Sequence, residues 1–470
     1  MCCGLFSLCF LVCLTAGPIQ SRPTTVSRWE AGTSRVKITP TKHLWMSGYA
    51  SRTHPAEGTL IDLWAKALVL QDPSGRQAVL VTMDLVGIPR GLSRAVCHEL
   101  QAKYGFPREA IILGVSHTHT GPVVGSNLQP MYFLNEQQQR DVDAYARHLQ
   151  ENLVKLVGQA RQNLRPAELA WGNGKGTFAV NRRNNREADV PRLRELGRLN
   201  GPVDHDVPVL SVRDMEGHLR AVVFAYACHG TVLDFYQWSG DYPGYAQLAI
   251  EKTDPGVTAL FLAGCGGDQN PLPRRSVALA EHYGRELAHG VVEVLSAPMS
   301  PIGDKLAMTY TEIPLPFAAL PTREQLSQQT HDKNRVVARR AQLLLTQIQK
   351  DGILSPTYPY PVQAWQLGSG PTLVALGGEV VVDYSLRFKR ELGRDRTWVA
   401  AYTNDVMAYI PSRRVLHEGG YEGGGAMLYY GLPSPWGDKV EERIVAAVHK
   451  CVRQVREAAG VSNPTRSSTP

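Results

Sequence analysis

Two histidines, His117 and His119, lie in the stretch "GVSHTHTGP". The apolar run "AIIL" precedes them and a Gly-Pro break follows. Neutral imidazole is a common metal ligand, and both side chains of an i, i+2 pair in a strand point to one side. The pair therefore indicates either a metal site at the end of a strand or a polar loop that happens to contain histidine.

Two more polar side chains follow apolar runs that read as strands. His229 comes at the end of "FAYACHG", and Glu379 follows the Gly-Gly turn in "ALGGEVV". Sites in α/β sheets are built where strands end. Two histidines and a glutamate with one open position suit catalytic zinc, which lowers the pKa of a water in that position toward 7. Each residue could also be a satisfied structural side chain.

Two loops add polar groups near these positions. The stretch "GCGGDQNPLP" contains Gly264, Gly266 and Gly267, which permit a tight loop with exposed backbone N–H groups. A plain glycine-rich turn between a strand and a helix is the alternative. The stretch "YTNDVMAYI" carries Asn404 and Tyr409, and a tyrosine in such a place usually packs against its neighbours.

Alternating strands and helices must position these side chains. Residues 64–72 and 77–85 are predicted strands of a hairpin, and a helix follows that Ser93 starts and Gly105 stops. No internal repeat and no linker divides the chain, so we predict one large α/β domain with a mixed β-sheet layered with helices. Further strands are predicted over 207–214, 219–230 and 258–268 and in "AIILGVS", "PTLVALGGE" and "TWVAAYTND", and further helices over 135–160, 277–295 and 323–350 and in "DYSLRFKREL" and "DKVEERIVAAVHKCVRQVREA".

The composition excludes several protein classes. Of the 470 residues 43% are hydrophobic, which is enough for a substantial core and argues against disorder. The net charge is +7, but Lys and Arg are scattered among Asp and Glu rather than gathered in runs. The sequence therefore argues against a nucleic-acid partner.

The N-terminal residues indicate export. The apolar run 5–15 has the length of a signal-peptide core and is followed by small residues, so residues 1–21 are interpreted as a signal peptide. We expect a secreted or periplasmic protein, with a folded domain over 28–459 and a disordered tail over 460–470. An uncleaved apolar N-terminus is the alternative. Pairing of Cys228 with Cys265 stays open, because no dense cysteine framework is present.

Taken together and in order, these stretches resemble the catalytic domain of the neutral (non-lysosomal) ceramidases. The resemblance implies a secreted or membrane-associated zinc amidase that cleaves ceramide into sphingosine and a fatty acid. It runs from about Val36 to Gly431 and includes "MSGYA", "VTMDL", "GVSHTHTGP", "VNRR", "ACHGTVL", "SGDYPGYA", "GGDQNP", "GGEVV", "TNDVMAYIPS" and "GGYEGG".

The resemblance also implies roles for individual residues. It implies that one zinc ion is bound by four ligands and that His119 meets the substrate at the metal. Arg182 and Asp241 are candidates for substrate binding, and Asp84 and Asp241 could orient the histidines. The four implied ligands are His117, His229, Glu379 and Tyr409.

Two features depart from the family pattern. Asn270 stands where the family has a serine, so no hydroxyl nucleophile is available there. We therefore expect a water to attack the carbonyl directly, with Asn270 binding an oxygen and His119 passing a proton to the leaving amine. The long ceramidases add a β-sandwich domain, so this sequence is interpreted as a single-domain form.

The function predicted first is zinc-dependent hydrolysis of an N-acyl amide, in ceramide or a related lipid, with contact to a membrane surface. One alternative is a zinc hydrolase or lyase that acts on a polar ester, lactone or sugar derivative. The serine-to-asparagine change and the polar residues Arg52, His54 and Arg182 point that way. The other alternative is an inactive binding protein that has kept the fold.

Overall fold

The computed structural model describes residues 28–462 together with Met1. Residues 2–21 of the predicted signal peptide and residues 463–470 of the predicted tail lie outside the described residues. The strands are β1 (Trp29–Lys37), β2 (Gly58–Thr59), β3 (Trp64–Gln71), β4 (Gln77–Met83), β5 (Ile111–Val115), β6 (Arg165–Lys175), β7 (Ala179–Asn181), β8 (Asp206–Arg213), β9 (Leu219–Tyr226), β10 (Gln237–Trp238), β11 (Thr258–Ala263), β12 (Gln269–Pro271), β13 (Ser300–Pro301), β14 (Leu306–Pro316), β15 (Thr357–Leu367), β16 (Thr372–Leu376), β17 (Glu379–Val380), β18 (Thr397–Ala400) and β19 (Tyr409–Ile410).

Eleven α-helices connect these strands within the described part of the chain. None of them combines the length and the apolarity that crossing a bilayer requires. They are α1 (Arg90–Tyr104), α2 (Glu136–Gln162), α3 (Val190–Glu195), α4 (Asp241–Thr253), α5 (Val277–Ser296), α6 (Arg323–Gln329), α7 (Arg335–Asp351), α8 (Val382–Leu392), α9 (Arg413–Glu418), α10 (Gly420–Gly423) and α11 (Val440–Ala459).

Two mixed β-sheets form the centre of the molecule. The larger has nine strands, in the order β11-β9-β8-β6-β1-β3-β4-β5 with β13 paired to β6, and the smaller has the order β14-β15-β16-β18. Strand β4 shows how the layers arise, because its side chains alternate between the two faces. Val79 and Val81 join the core beneath α1 and α2, whereas Leu80 joins Trp365 and Trp398 between the sheets. With α8 and α11 packed on the smaller sheet, the fold has four layers.

The two end strands of the larger sheet, β5 and β11, approach each other. A Cβ added at Gly114 would lie 2.6 Å from Leu262 Cδ1, so a larger residue would force the Leu262 side chain to shift. The chain after β18 joins both strands, because Ala401 N–H donates to Ala263 O at 2.9 Å and Asn404 N–H donates to Leu113 O at 2.7 Å. This closure brings the loops that follow β5, β9 and β16 to one place.

The structure confirms the fold class, the hairpin β3–β4 and most of the predicted elements. The helix expected to start at Ser93 begins at Arg90, directly after Pro89. The helix predicted over 323–350 is wrong as one element, because Asn334 caps a new helix by accepting a hydrogen bond from Val336 N–H. The cysteines Cys228 and Cys265 are buried free thiols, so they do not form a disulfide.

Several strands were not predicted from the sequence, and β6 shows the reason. Its glycines lower β-propensity, yet they allow α5 to pack closely against the sheet. A Cβ at Gly172 would lie 2.5 Å from Val294 Cγ1, and one at Gly174 would lie 2.7 Å from Gly290 O. Strands β1, β14 and β15 were missed as well.

Candidate metal centre

The two histidines of "GVSHTHTGP" lie in a loop, not in a strand as expected. His117 comes two residues after β5 and has left-handed backbone geometry, with φ of 58°. The prediction that the two side chains point to one side because they lie in a strand is therefore wrong. The following residues run beside the end of β9, since Thr118 bridges Gly230 and His119 N–H donates to Gly230 O at 3.0 Å. The loop still brings the two rings together, with 3.1 Å between their Nε2 atoms.

Glu379 and Tyr409 face each other as partners in a short parallel pair. They are the first residues of β17 and β19, and the register of these strands places them side by side. Glu379 Oε2 lies 3.1 Å from His117 Nε2 and 3.0 Å from His229 Nε2. The hydroxyl of Tyr409 lies 3.1 Å from His229 Nε2. The structure therefore brings together all four residues that the resemblance implied as ligands.

Backbone carbonyls fix the protonation of two imidazoles. His117 Nδ1 lies 2.7 Å from Val86 O, and His229 Nδ1 lies 2.6 Å from Gly266 O. A carbonyl only accepts hydrogen bonds, so both Nδ1 atoms carry the proton. In the neutral rings both Nε2 atoms are then left with a free lone pair, and these lone pairs converge on Glu379. Burial, and then the Arg182 cation, lower the pKa of His229 to about 4, so the ring is neutral at pH 7.

The residues fit a divalent metal ion. When both rings are neutral, two imidazole lone pairs and a carboxylate oxygen point at one another, and a cation between them would remove this conflict. A tetrahedral zinc site with bonds of about 2.0–2.1 Å separates its ligand atoms by roughly 3.3 Å. The spacings of 3.0 and 3.1 Å in this cluster are close to that value. His117, His119 and His229 also form a group able to hold a metal.

Burial separates the implied ligands from His119. His117 and His229 are 1% exposed, and Glu379 and Tyr409 are 3% and 4% exposed. His119 is part-exposed, and its Nδ1 has no hydrogen-bond partner. The side of His119 is therefore the least buried side of the cluster.

Arg182 lies over the cluster and joins several of its members. Its NH2 donates to the hydroxyl of Tyr409 and its NH1 donates to Oδ1 of Asn270, both at 3.1 Å. Its Nε donates to Glu422 at 2.8 Å, which neutralises the guanidinium. Because Asn270 Oδ1 accepts from Arg182, the amide Nδ2 faces away from it and is available as a donor. This geometry is compatible with the predicted substrate contact of Arg182 and the predicted oxygen contact of Asn270.

The glycine-rich loop holds the cluster by backbone contact. A Cβ at Gly266 would lie 2.8 Å from Cys228 N, and one at Gly267 would lie 2.6 Å from Glu379 O. The tight loop predicted here is therefore confirmed. Its N–H groups are not exposed as expected, because those of Gly266 and Gly267 donate to Gly264 O and Val380 O at 2.8 and 2.9 Å.

Asp84 and Asp241 do not orient the histidines, and that expectation is wrong. Asp84 accepts a hydrogen bond from Trp64 N–H at 2.9 Å. Asp241 accepts from the N–H groups of Val232, Leu233 and Tyr242 at 2.7–3.2 Å. With both oxygens occupied and 0% of the residue exposed, Asp241 holds the loop after His229, and nothing in the structure supports its predicted substrate contact.

Two tyrosines of the cluster were missed by sequence reasoning. The hydroxyl of Tyr430 donates a short hydrogen bond to Glu379 Oε1, which leaves Oε2 facing the histidines. The ring of Tyr402 packs on His117 with 4.4 Å between centroids. The signal that could have identified Tyr430 is the pair "YY" at the end of the glycine-rich segment after "GGYEGG", an unusual place for two tyrosines.

Comparison with known proteins agrees with this geometry. The family model described as "Neutral/alkaline non-lysosomal ceramidase, N-terminal" matches residues 29–270. Neutral ceramidase 1 of Arabidopsis thaliana is 27% identical over 296 residues, which is 61% of this chain and 36% of that protein. Neutral ceramidase B of Dictyostelium discoideum is 26% identical over 244 residues, which is 49% of this chain and 33% of that protein. The chain thus spans about a third of the length of these relatives.

Two solved structures share the fold over most of the chain. A ceramidase complexed with C2 superposes with a TM-score of 0.69 at 20% identity, covering 94% of this chain and 77% of that one. The neutral ceramidase from Pseudomonas aeruginosa gives a TM-score of 0.67 at 22% identity, covering 94% and 76%. The family match, the relatives and the shared fold lead to one conclusion: the chain belongs to the neutral/alkaline non-lysosomal ceramidase family.

Proposed function

We propose that this chain is a zinc-dependent hydrolase that cleaves the amide bond of an N-acylated lipid such as ceramide. The observation that carries the proposal is the convergence of His117 Nε2 and His229 Nε2 on Glu379 Oε2, at 3.1 and 3.0 Å, with both imidazoles held in the metal-binding tautomer. Family membership supports the choice of an amide, because the relatives are named as ceramidases.

The roles of the residues follow from their positions. His117, His229, Glu379 and Tyr409 would hold the metal. When bound, zinc supplies a lowered pKa for water and polarises the substrate carbonyl. His119 is part-exposed and lies next to His117, so it is placed to take a proton from the attacking water and give it to the leaving amine.

Charge that develops on the carbonyl oxygen needs donors held in advance. Asn270 is fixed by the hydrogen bond that its Oδ1 accepts from Arg182, which leaves its Nδ2 as a donor for that oxygen. No side-chain hydroxyl stands at position 270, so the pathway has a water as nucleophile and no acyl-enzyme. Arg182 keeps the phenol of Tyr409 and the amide of Asn270 in one arrangement.

The experiment is hydrolysis of a short-chain ceramide by the purified chain, with the metal content measured on the same sample. Activity that is lost on chelation and restored by zinc, and that is absent from His117→Ala, is the expected result. Glu286→Gln serves as a control, because this carboxylate bonds to Thr177, outside the cluster. Hydrolysis by His117→Ala at the wild-type rate would refute the proposal.

A further inference from the structure

Arg52 is a buried cation without a carboxylate in direct contact, and Asp234 acts on its charge only from a distance. The residue is 7% exposed, and among the described residues no carboxylate forms an ion pair with it. Its NH2 donates to His119 O at 3.0 Å and to Phe235 O at 3.1 Å. Its Nε and NH1 are buried and have no hydrogen-bond partner. Three of the five N–H donors of this guanidinium are therefore unused.

The surroundings of Arg52 compensate its charge only in part. The guanidinium carbon lies 5.1 Å from the ring centre of Tyr49 and 5.4 Å from that of Tyr236. Such cation–π contacts are weaker than the desolvation cost of a buried ion. Arg182 shows the contrast in the same part of the molecule, because its charge is balanced by Glu422 at 2.8 Å.

Arg52 lies beside the candidate proton carrier. Besides the bond to His119 O, the ring of Tyr49 connects the two residues, with 4.7 Å between the centroids of Tyr49 and His119. Two more buried polar atoms in this region, His119 Nδ1 and Thr231 Oγ1, also lack a hydrogen-bond partner. Unsatisfied buried groups are rare in native proteins and tend to mark places where something else binds.

We propose that Arg52 recognises an anionic group of the substrate, carboxylate or sulfonate, that lies close to the scissile amide. The inference rests on the proposed amide hydrolysis and names its substrate class: N-acyl compounds with an acidic head group. The guanidinium lies between the rings of Tyr49 and Tyr236 and its Nε and NH1 are buried, so binding requires an outward turn of Tyr236. That ring is part-exposed and stacks on surface residue His54 at 3.7 Å.

The test compares three amides with the same acyl chain and different head groups. N-decanoylglycine carries a carboxylate, N-decanoyltaurine carries a sulfonate, and N-decanoylethanolamine is neutral. A hydrogen-bonded charge is worth about 10- to 100-fold in binding, so the wild-type chain should favour one or both acidic amides over the neutral one by that factor in kcat/KM. Arg52→Gln should lose this preference.

Arg456→Gln is the matched control, because Arg456 is also a buried arginine without an ion pair among the described residues. It is 2% exposed, bonds to Leu392 O and Thr372 Oγ1, and lies on α11. Its replacement should leave the head-group preference as it is in the wild type. The comparison separates recognition of charge from the general effect of removing a buried arginine.

Each outcome decides the proposal. A wild-type chain without preference for the acidic amides overturns it. An equal loss on all three amides in Arg52→Gln also overturns it, and shows Arg52 to be a positioning residue for His119. If no amide is hydrolysed, the proposed function fails, and calorimetric binding to the zinc-loaded chain decides instead. Tighter binding of an acidic amide that Arg52→Gln abolishes supports the anion site, and equal binding refutes it.

Discussion

Tyr430 donates a hydrogen bond to Glu379 Oε1. Removal of this hydrogen bond should weaken metal binding, although all four proposed ligands remain. Tyr430→Phe deletes only the hydroxyl and keeps the ring. A hydrogen bond to a charged group contributes about 1.5–3 kcal/mol, which corresponds to roughly a 10- to 100-fold change in affinity. Loss of an outer partner of a metal ligand has the same typical size, about 10- to 100-fold. We therefore expect the Kd for zinc to rise by that factor.

The assay is competition for zinc between the chain and a chromogenic chelator at neutral pH, so it needs no substrate. The neighbouring tyrosine supplies the control, because the Tyr429 hydroxyl makes no hydrogen bond within the described part of the chain and its ring packs 6.0 Å from that of Tyr421. Tyr429→Phe should bind zinc as the wild type does. Thermal unfolding of both variants in chelator shows whether the fold is intact.

Two results would refute the reasoning about Tyr430. An unchanged zinc affinity in Tyr430→Phe would mean that Glu379 is oriented by its strand pairing with Tyr409 alone. An equal loss of affinity in Tyr429→Phe and Tyr430→Phe would mean that the loop acts through its packing and not through the one hydrogen bond.

Three further predictions concern the centre and its surroundings. His119→Ala should keep zinc and lose turnover by about 10²–10⁴-fold, whereas His117→Ala should lose both zinc and turnover. Metal analysis and kinetics on the same samples check this. A His119→Ala protein without zinc would show that His119 is a ligand. Gly48→Ala should lower kcat by about 10²-fold with the zinc content unchanged, because its Cβ would lie 2.5 Å from His119 Nδ1; a fully active variant would show that this ring can move. Burial raises the pKa of Asp405 from 3.8 to about 6, because it outweighs the hydrogen bond from Tyr358, which lowers the pKa. The folded state therefore binds the carboxyl proton of Asp405 more tightly than the unfolded state does. This contribution to the free energy of unfolding is fully present below pH 3.8 and is lost as the pH rises through 6. Asp405→Asn should remove a fall of about 3 kcal/mol in the free energy of unfolding, measured in urea between about pH 4 and 8, and an identical slope in both proteins would contradict this.

Much of the fold and the set of converging side chains could be predicted from the sequence. Apolar runs such as "AIIL" mark strands strongly, and polar residues that follow them gather where strands end. His117, His229 and Glu379 were found in this way, and Tyr409 was added only by the family resemblance. The left-handed turn at His117 was not predictable, because its φ of 58° depends on the neighbouring strand and not on local preference.

Residues that act through a single distant contact were the hardest to predict. Tyr430 lies 51 residues from Glu379 in the chain, and nothing in the local sequence connects them. Arg52 stands in an exposed-looking turn between Ser51 and Thr53, so its burial follows only from the folding of the segment around Tyr236 against it. Glycines in β6 lowered its strand signal because they serve helix packing instead.

The acceptors for His117 and His229 Nδ1 are the carbonyls of Val86 and Gly266, and this has a consequence for divergence within the family. A carbonyl is present whatever the side chain, so the outer support of both imidazoles is inherited with the path of the backbone. Substitutions at position 86 that keep the chain path leave that support intact. Such a centre can persist while the side chains around it change. The centre is therefore less vulnerable to point mutation than one that depends on carboxylates to orient its histidines.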